Sequence, residues 1–116
     1  MTRPRVLLAD DHPGMVNALC RVFSPECDVV EVVADGGEVP AAAARLEPVV
    51  IVVDVNLPNL SGLDVCRRIT GNNPQAKVIV ITAVSDDATR QEAFAAGASG
   101  FFHKAEAGDE IGRAHV

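Results

Sequence analysis

The sequence predicts an open α/β fold, a sheet of five parallel strands with helices on both faces. Three observations lead there. Apolar runs bounded by polar residues recur five times along 116 residues, with helical patterns between them. The runs at 49–53 and 78–81 carry Val and Ile without polar alternation, as strands covered on both faces do. The strand–helix alternation also continues from end to end with no repeat, linker or low-complexity tract, and right-handed crossovers then place helices on both faces.

Element by element, the first strand is expected at Arg5–Ala9 and the first helix at Pro13–Phe23, with Pro13 suited to the first turn. Its apolar face is Met15, Ala18, Leu19, Val22 and Phe23, at three- and four-residue spacing. A second strand at Val29–Val33 leads to a helix over Glu38–Leu46, in which the run Ala41–Ala44 is helix filler between Pro40 and Pro48. The third strand, Val49–Val53, is followed by a helix over Gly62–Thr70 with Leu63, Val65, Cys66 and Ile69 facing inward. The fourth strand, Val78–Ile81, precedes a helix over Asp86–Ala96 that Gly97 ends as a left-handed cap. Phe101–Phe102 forms the fifth strand, and Asp109 opens a last helical stretch to Val116.

Composition narrows the function classes. Of the residues, 48% are apolar and 22% charged, which supports one buried core. A net charge of -6 repels phosphate backbones and anionic lipid, so direct nucleic-acid binding by this chain is not expected. The apolar runs fall far short of the roughly 20 residues of a membrane helix, and no signal-peptide pattern opens the chain; a soluble cytoplasmic protein is the expectation. Cys20, Cys27 and Cys66 lack paired zinc spacing and read as reduced, packed thiols. There is no Trp or Tyr.

In parallel sheets function collects beyond the carboxyl ends of the strands. Asp10 and Asp11 follow the first run, Asp54 the third, Thr82 the fourth, and Lys104 the fifth. Taken singly, each has an ordinary reading: the acids as turn or cap residues, Thr82 as a cap ahead of Asp86, Lys104 as a solvated charge. Together they place three mutually repelling carboxylates, a hydroxyl and a lysine at one end of the sheet. Such carboxylates need a cation, and oxygen donors without paired His or Cys favour Mg²⁺ with open positions for phosphate. Asp54 has the most apolar flanks and suits a carboxylate nucleophile at phosphorus, with Lys104 neutralising the phosphoryl oxygens.

The motifs Asp10-Asp11-His12-Pro13, Asp54-Val-Asn56-Leu-Pro58 with Ser61-Gly62, Ile81-Thr82-Ala83 and Ala96-Gly-Ala-Ser-Gly-Phe101-Phe-His-Lys104 occur in the order and spacing of a known family. The chain resembles the receiver domain of two-component response regulators over nearly its whole length, and its opening tetrapeptide is similar to receivers joined to a helix-turn-helix output domain. The resemblance implies a flavodoxin-like, doubly wound (βα)5 fold with strand order 2-1-3-4-5. It implies that Asp54 accepts a phosphoryl group from a sensor histidine kinase or phosphotransfer protein. Asp10, Asp11, Asp54 and the carbonyl of Asn56 would hold Mg²⁺, and Lys104 and Thr82 would bind phosphoryl oxygens. A Thr82/Phe101 switch would report phosphorylation to an output domain or partner, and the residues at Asn56 and Val84 would set the lifetime of the phosphoryl group. The domain would catalyse only its own phosphorylation and dephosphorylation.

Two departures from the family follow. Ala105 stands after Lys104 where Pro, joined by a cis bond, is common, and the last helix is short and carries Gly112. The chain thus reads as a receiver domain over 1–116 with an abbreviated fifth helix and its output domain outside this chain. Apolar surface on the third and fourth strands is then expected to be exposed or covered by a second copy, giving a homodimer or reduced stability. His12 reads as a helix-entry residue ahead of Pro13, and His103 fits either the site or the outer face of its strand. Rival readings are a haloacid-dehalogenase-type phosphatase, a flavodoxin-like cofactor binder and a receiver working through protein contacts alone. The nucleophile's position after the third strand, the missing Ser/Thr-rich loop and stacking aromatics, and the intact Asp-Asp, Asp, Thr and Lys set argue against them in turn.

Overall fold

The computed structural model describes residues 3–23, 25–84 and 86–105. Five strands, β1 (Arg5–Ala9), β2 (Asp28–Val33), β3 (Val50–Asp54), β4 (Lys77–Thr82) and β5 (Gly100–His103), form one parallel sheet in the order β2-β1-β3-β4-β5. Between them run α1 (Pro13–Phe23), α2 (Val39–Leu46), α3 (Gly62–Asn72) and α4 (Asp87–Ala95), with a 3-10 turn at Gly36–Glu38 ahead of α2. The expected fold class and strand order are therefore found. The expected fifth helix, Gly112 included, lies outside the described residues.

Central strands β3 and β4 earn their places through uninterrupted Val and Ile: every residue of β3 is buried, and in β4 only Lys77 is exposed. Alternate side chains feed two cores. Leu7, Ile51, Val53, Val78, Val80 and Phe101 meet Val39 and Ala42 of α2, Val65, Cys66 and Ile69 of α3, and Ala93 of α4. On the other face Val6, Leu8, Val50, Val52, Ile79 and Ile81 meet Leu19 of α1. Burying each such side chain stabilises the fold by roughly 1.5–3 kcal/mol before the entropy of ordering it is charged.

Two expectations change. Val50, Val52, Ile79 and Ile81 are at most 5% exposed, so the bare apolar surface foreseen on the third and fourth strands is not found; Leu19, Met15 and the ring of Phe102 pack against that face. Ala18, read as part of the inner face of α1, is exposed, and Cys20 packs inward instead. No cis peptide occurs among the described residues, so Lys104–Ala105 is trans.

Helix entries are fixed by local oxygens. Ser61 Oγ accepts from Asp64 N–H at 3.2 Å, and Asp86 Oδ1 accepts from Thr89 N–H at 2.7 Å; the Thr89 backbone hydrogen bond also holds the Asp86 carboxyl below its usual range. Gly97, with φ of 99°, ends α4 in the left-handed conformation expected of it, and a methyl group there would overlap the Thr70 side chain.

Candidate functional site

Only three residues among those described are both polar or charged and buried: Asp10, Asp54 and Thr82. All three stand at carboxyl ends of strands. A lone buried polar residue is usually absorbed by hydrogen bonds, but two of these are carboxylates with oxygens left over.

Asp10 continues β1, its N–H donating to Val33 O at 3.1 Å, and Asp54 is the last residue of β3. Each carboxylate turns back on its own chain: Asp10 Oδ1 accepts from His12 N–H at 2.8 Å, and Asp54 Oδ1 accepts from Asn56 N–H at 3.1 Å. These two-residue turns aim the other oxygens into the space between the strands. Asp10 Oδ2 and Asp54 Oδ2 are buried with no hydrogen-bond donor on either.

Lys104 closes the cluster from the end of β5. Its ammonium lies 2.8 Å from Asp54 Oδ2 and 3.2 Å from Asp10 Oδ2, a charge pairing without the alignment of a hydrogen bond, and 3.3 Å from Asp10 Oδ1, to which it donates. Burial lowers the affinity of this amine for its proton, yet the adjacent Asp54 and Asp10 outweigh burial and hold the Lys104 pKa above its ordinary value. A single lysine thus offsets two buried carboxylates.

Asp11 is exposed at the rim, and beside it the structure brings in His12, which the sequence reading set aside as a helix-entry residue. His12 Nδ1 lies 3.0 Å from Asp10 Oδ1, 3.1 Å from Asp11 Oδ1, 3.6 Å from Asp54 Oδ2 and 2.8 Å from Lys104 Nζ. His12 does enter the helix, its carbonyl accepting from Val16 N–H, but the Asp10 turn also swings its ring over the acids. The Asp-x-His spacing was the available signal.

Asp10, Asp11, Asp54 and Lys104 are therefore brought together as expected. Thr82 is buried at the end of β4, but its hydroxyl donates to Val84 O at 2.8 Å and accepts from Val84 N–H at 3.1 Å. It is neither a cap for α4, which Asp86 supplies, nor a partner of the acids. Phe101 is buried in the core beneath α2, α3 and α4, one register position from Thr82's neighbour on β4. His103 turns to its own chain, Nδ1 accepting from Ala105 N–H at 3.0 Å.

Two glycines shape the loop after β3 and were not singled out for this. A methyl group on Gly62 would overlap the carbonyl of Asp54, and one on Gly36 would overlap the carbonyl of Leu60. Gly36 N–H donates to Pro58 O at 2.9 Å, and Asp35 Oδ2 accepts from Asn59 Nδ2 at 2.7 Å, with Asn59 at φ of 69°. The loop carrying Asp54 is thereby tied down on the side away from Lys104.

The donor set fits a hard divalent cation. Asp10, Asp11, His12 and Asp54 each offer an atom, all within 4.8 Å of one another, and the two orphaned carboxylate oxygens are what a cation would satisfy. Cys66 is buried, and its thiol is pushed up to about 11 by that burial.

Comparison with known proteins agrees with this geometry. The family model described as the response regulator receiver domain matches residues 6–115. The DNA-binding transcriptional activator DevR/DosR of Mycobacterium tuberculosis is 35% identical over 115 residues, covering 95% of this chain and 52% of that protein. The response regulator GacA of Pseudomonas viridiflava is 34% identical over 103 residues, covering 86% of this chain and 48% of that one. The chain thus spans about half the length of these curated relatives. Among solved structures, the signal receiver domain of NarL from Mycobacterium tuberculosis superposes with a TM-score of 0.91 at 26% identity, covering 99% of this chain and 94% of the other. A LuxR-family two-component response regulator from Aurantimonas sp. SI85-9A1 gives 0.89 at 30% identity, with 98% and 83% covered.

Proposed function

The chain belongs to the response regulator receiver family, and from that premise we propose that it is a phosphorylation-controlled switch whose acceptor is Asp54. The observation that carries this reading is the position of Asp54: 1% exposed at the end of a central strand, with Lys104 Nζ 2.8 Å from its Oδ2.

The donor is a phosphohistidine on a sensor kinase or phosphotransfer protein. An Asp54 oxygen attacks phosphorus as the P–N bond breaks, the imidazole leaves with that electron pair, and the acyl phosphate forms. Lys104, already a cation at the site, turns to the transferred phosphoryl oxygens. Asp10 and Asp11, with Asp54 and the Asn56 carbonyl, are the residues to hold Mg²⁺, which when bound supplies positive charge to the phosphoryl group. Attack of water on phosphorus breaks the bond to the Asp54 oxygen, releases inorganic phosphate and restores the carboxylate, so the domain is its own phosphatase without turnover of a separate substrate.

The Thr82 hydroxyl exchanges its present partner, the Val84 backbone, for a phosphoryl oxygen. That exchange is the contact that differs between states, and the buried Phe101 ring follows it. The readout surface is α4 and β5, where α4 is thinly anchored: within the helix itself only Ala93 is buried. Residues 1–116 serve as the receiver domain. An output domain outside this chain, of the kind implied by relatives named as DNA-binding transcriptional regulators, carries the response, so this acidic chain itself does not contact nucleic acid. No described helix is long and apolar enough to cross a membrane, which is compatible with action in the cytoplasm beside a kinase.

Incubation with acetyl phosphate and Mg²⁺ tests the reading through intact mass. The wild-type chain should gain one phosphoryl group and Asp54→Asn none; a gain retained in Asp54→Asn would defeat it.

A further inference from the structure

His12 is the feature of the site that acid chemistry alone leaves unexplained. Resting on the proposed acid site, we propose that His12 is a direct metal ligand through Nδ1. The site then holds first-row divalent cations such as Mn²⁺ with a larger margin over Mg²⁺ than its oxygen donors alone would give.

Two independent observations point to a ligand there. Asp10 Oδ2 and Asp54 Oδ2 belong to side chains 1% exposed, make no aligned hydrogen bond, and face one another across a single cation, the Lys104 ammonium at 3.2 and 2.8 Å. The second observation is the spacing of His12. Neighbouring donors of a six-coordinate ion with bonds of about 2.1 Å stand about 3 Å apart, and His12 Nδ1 is 3.0 Å from Asp10 Oδ1 and 3.1 Å from Asp11 Oδ1. Hydrogen bonding cannot account for the whole arrangement. One ring nitrogen carries either a proton or a lone pair, while Nδ1 faces two carboxylates and, at 2.8 Å, the Lys104 ammonium, itself a donor. What these groups share is room for a cation, part of which Lys104 now fills.

Ligand chemistry sets the consequence. Imidazole bonds are weak for Mg²⁺ and strengthen along the first-row series from Mn²⁺ onward. Adding one nitrogen to a carboxylate set therefore changes which ion is held more than whether one is held. The ring is 61% exposed and makes no packing contribution to either core, so its replacement leaves the fold in place.

Calorimetric titration of the unphosphorylated chain with Mn²⁺ and with Mg²⁺, for wild type and His12→Ala, reads the preference directly. The ratio of Mn²⁺ to Mg²⁺ affinity should fall at least fivefold in His12→Ala while Mg²⁺ affinity stays within about twofold, and that retained Mg²⁺ binding also reports a folded variant. Pulsed electron paramagnetic resonance of bound Mn²⁺ should show coupling to a nitrogen in wild type that is lost in His12→Ala. An unchanged ratio, or no nitrogen coupling in wild type, would overturn the role of His12 while Mg²⁺ binding kept the acid site standing. Failure of both ions to bind wild type would overturn the acid-site reading and this inference together.

Discussion

The two ends of the sheet are built on opposite principles. At the amino ends of β3 and β4, between α2 and α3, lies a cavity of about 400 Å³ lined by Ala43, Ala44, Ile51, Ile69 and Ala76, with Pro48 at its edge. Nearby polar groups there are satisfied: Arg5 Nε donates to Leu46 O at 3.1 Å, and Glu47, in the left-handed conformation, donates its N–H to Ala43 O at 3.0 Å. At the carboxyl ends the chain buries Asp10 and Asp54 side by side, with one lysine to offset the two of them. The hollow marks loose packing of small residues, while the crowded end holds the site proposed to carry phosphate. Unsatisfied buried charge, which costs stability, is the better guide to chemistry than volume.

Substitutions should therefore act with opposite sign at the two ends. The largest effect is expected at the apolar end, where Ile51→Ala enlarges a space that already fails to collapse; a loss of about 2–5 kcal/mol is expected in denaturant unfolding. Phosphorylation per folded molecule should be unaffected. Gly62→Ala tests the boundary, since its methyl group must displace the backbone that carries Asp54. A destabilisation of about 1–3 kcal/mol should be accompanied by slowed phosphoryl uptake, and a normal rate would show that the loop yields without moving the carboxylate.

Asp10→Asn should do the reverse. Removing one of two adjacent buried carboxylates relieves repulsion, so a gain of about 1 kcal/mol in stability is expected together with weakened Mg²⁺ binding. Loss of stability would mean that the Lys104 pairing dominates. Lys104 also sets a pH dependence. Its folded pKa is raised, so its stabilising contribution is complete below the unfolded value, about 10.4, and is lost as pH rises through the higher folded value. The unfolding midpoint of wild type should fall more steeply above about pH 10 than that of Lys104→Met. The smallest effect concerns Val84, 66% exposed and unable to orient water through its side chain: Val84→Glu should shorten the phosphoryl lifetime severalfold, as followed by the decay of phosphorylated mass.

How much of this was readable in advance differs between the same two regions. Strands β3 and β4 were legible because unbroken Val and Ile admit few alternatives, and Asp54 was legible because a carboxylate ending such a strand is chemically out of place. The position of the His12 ring was not, because it depends on a turn made by the Asp10 side chain rather than on helix periodicity. Nor was the present partner of Thr82, which is the backbone two residues on. The Asp35–Asn59 tie joins residues 24 apart in sequence, and nothing local announces it. The exposure of Ala18 shows the limit of helical spacing for a small residue, whose burial adds little and so constrains little.

The central claim is that the buried carboxylate at the end of β3 is where phosphate is carried. Borohydride reduces an acyl phosphate on aspartate to homoserine, which marks the residue permanently. After treatment with acetyl phosphate and Mg²⁺, reduction and peptide mapping should find homoserine at position 54 alone, in proportion to the phosphoryl group gained. Homoserine at position 10 or 11, or phosphorylation that leaves no homoserine at all, would contradict the account.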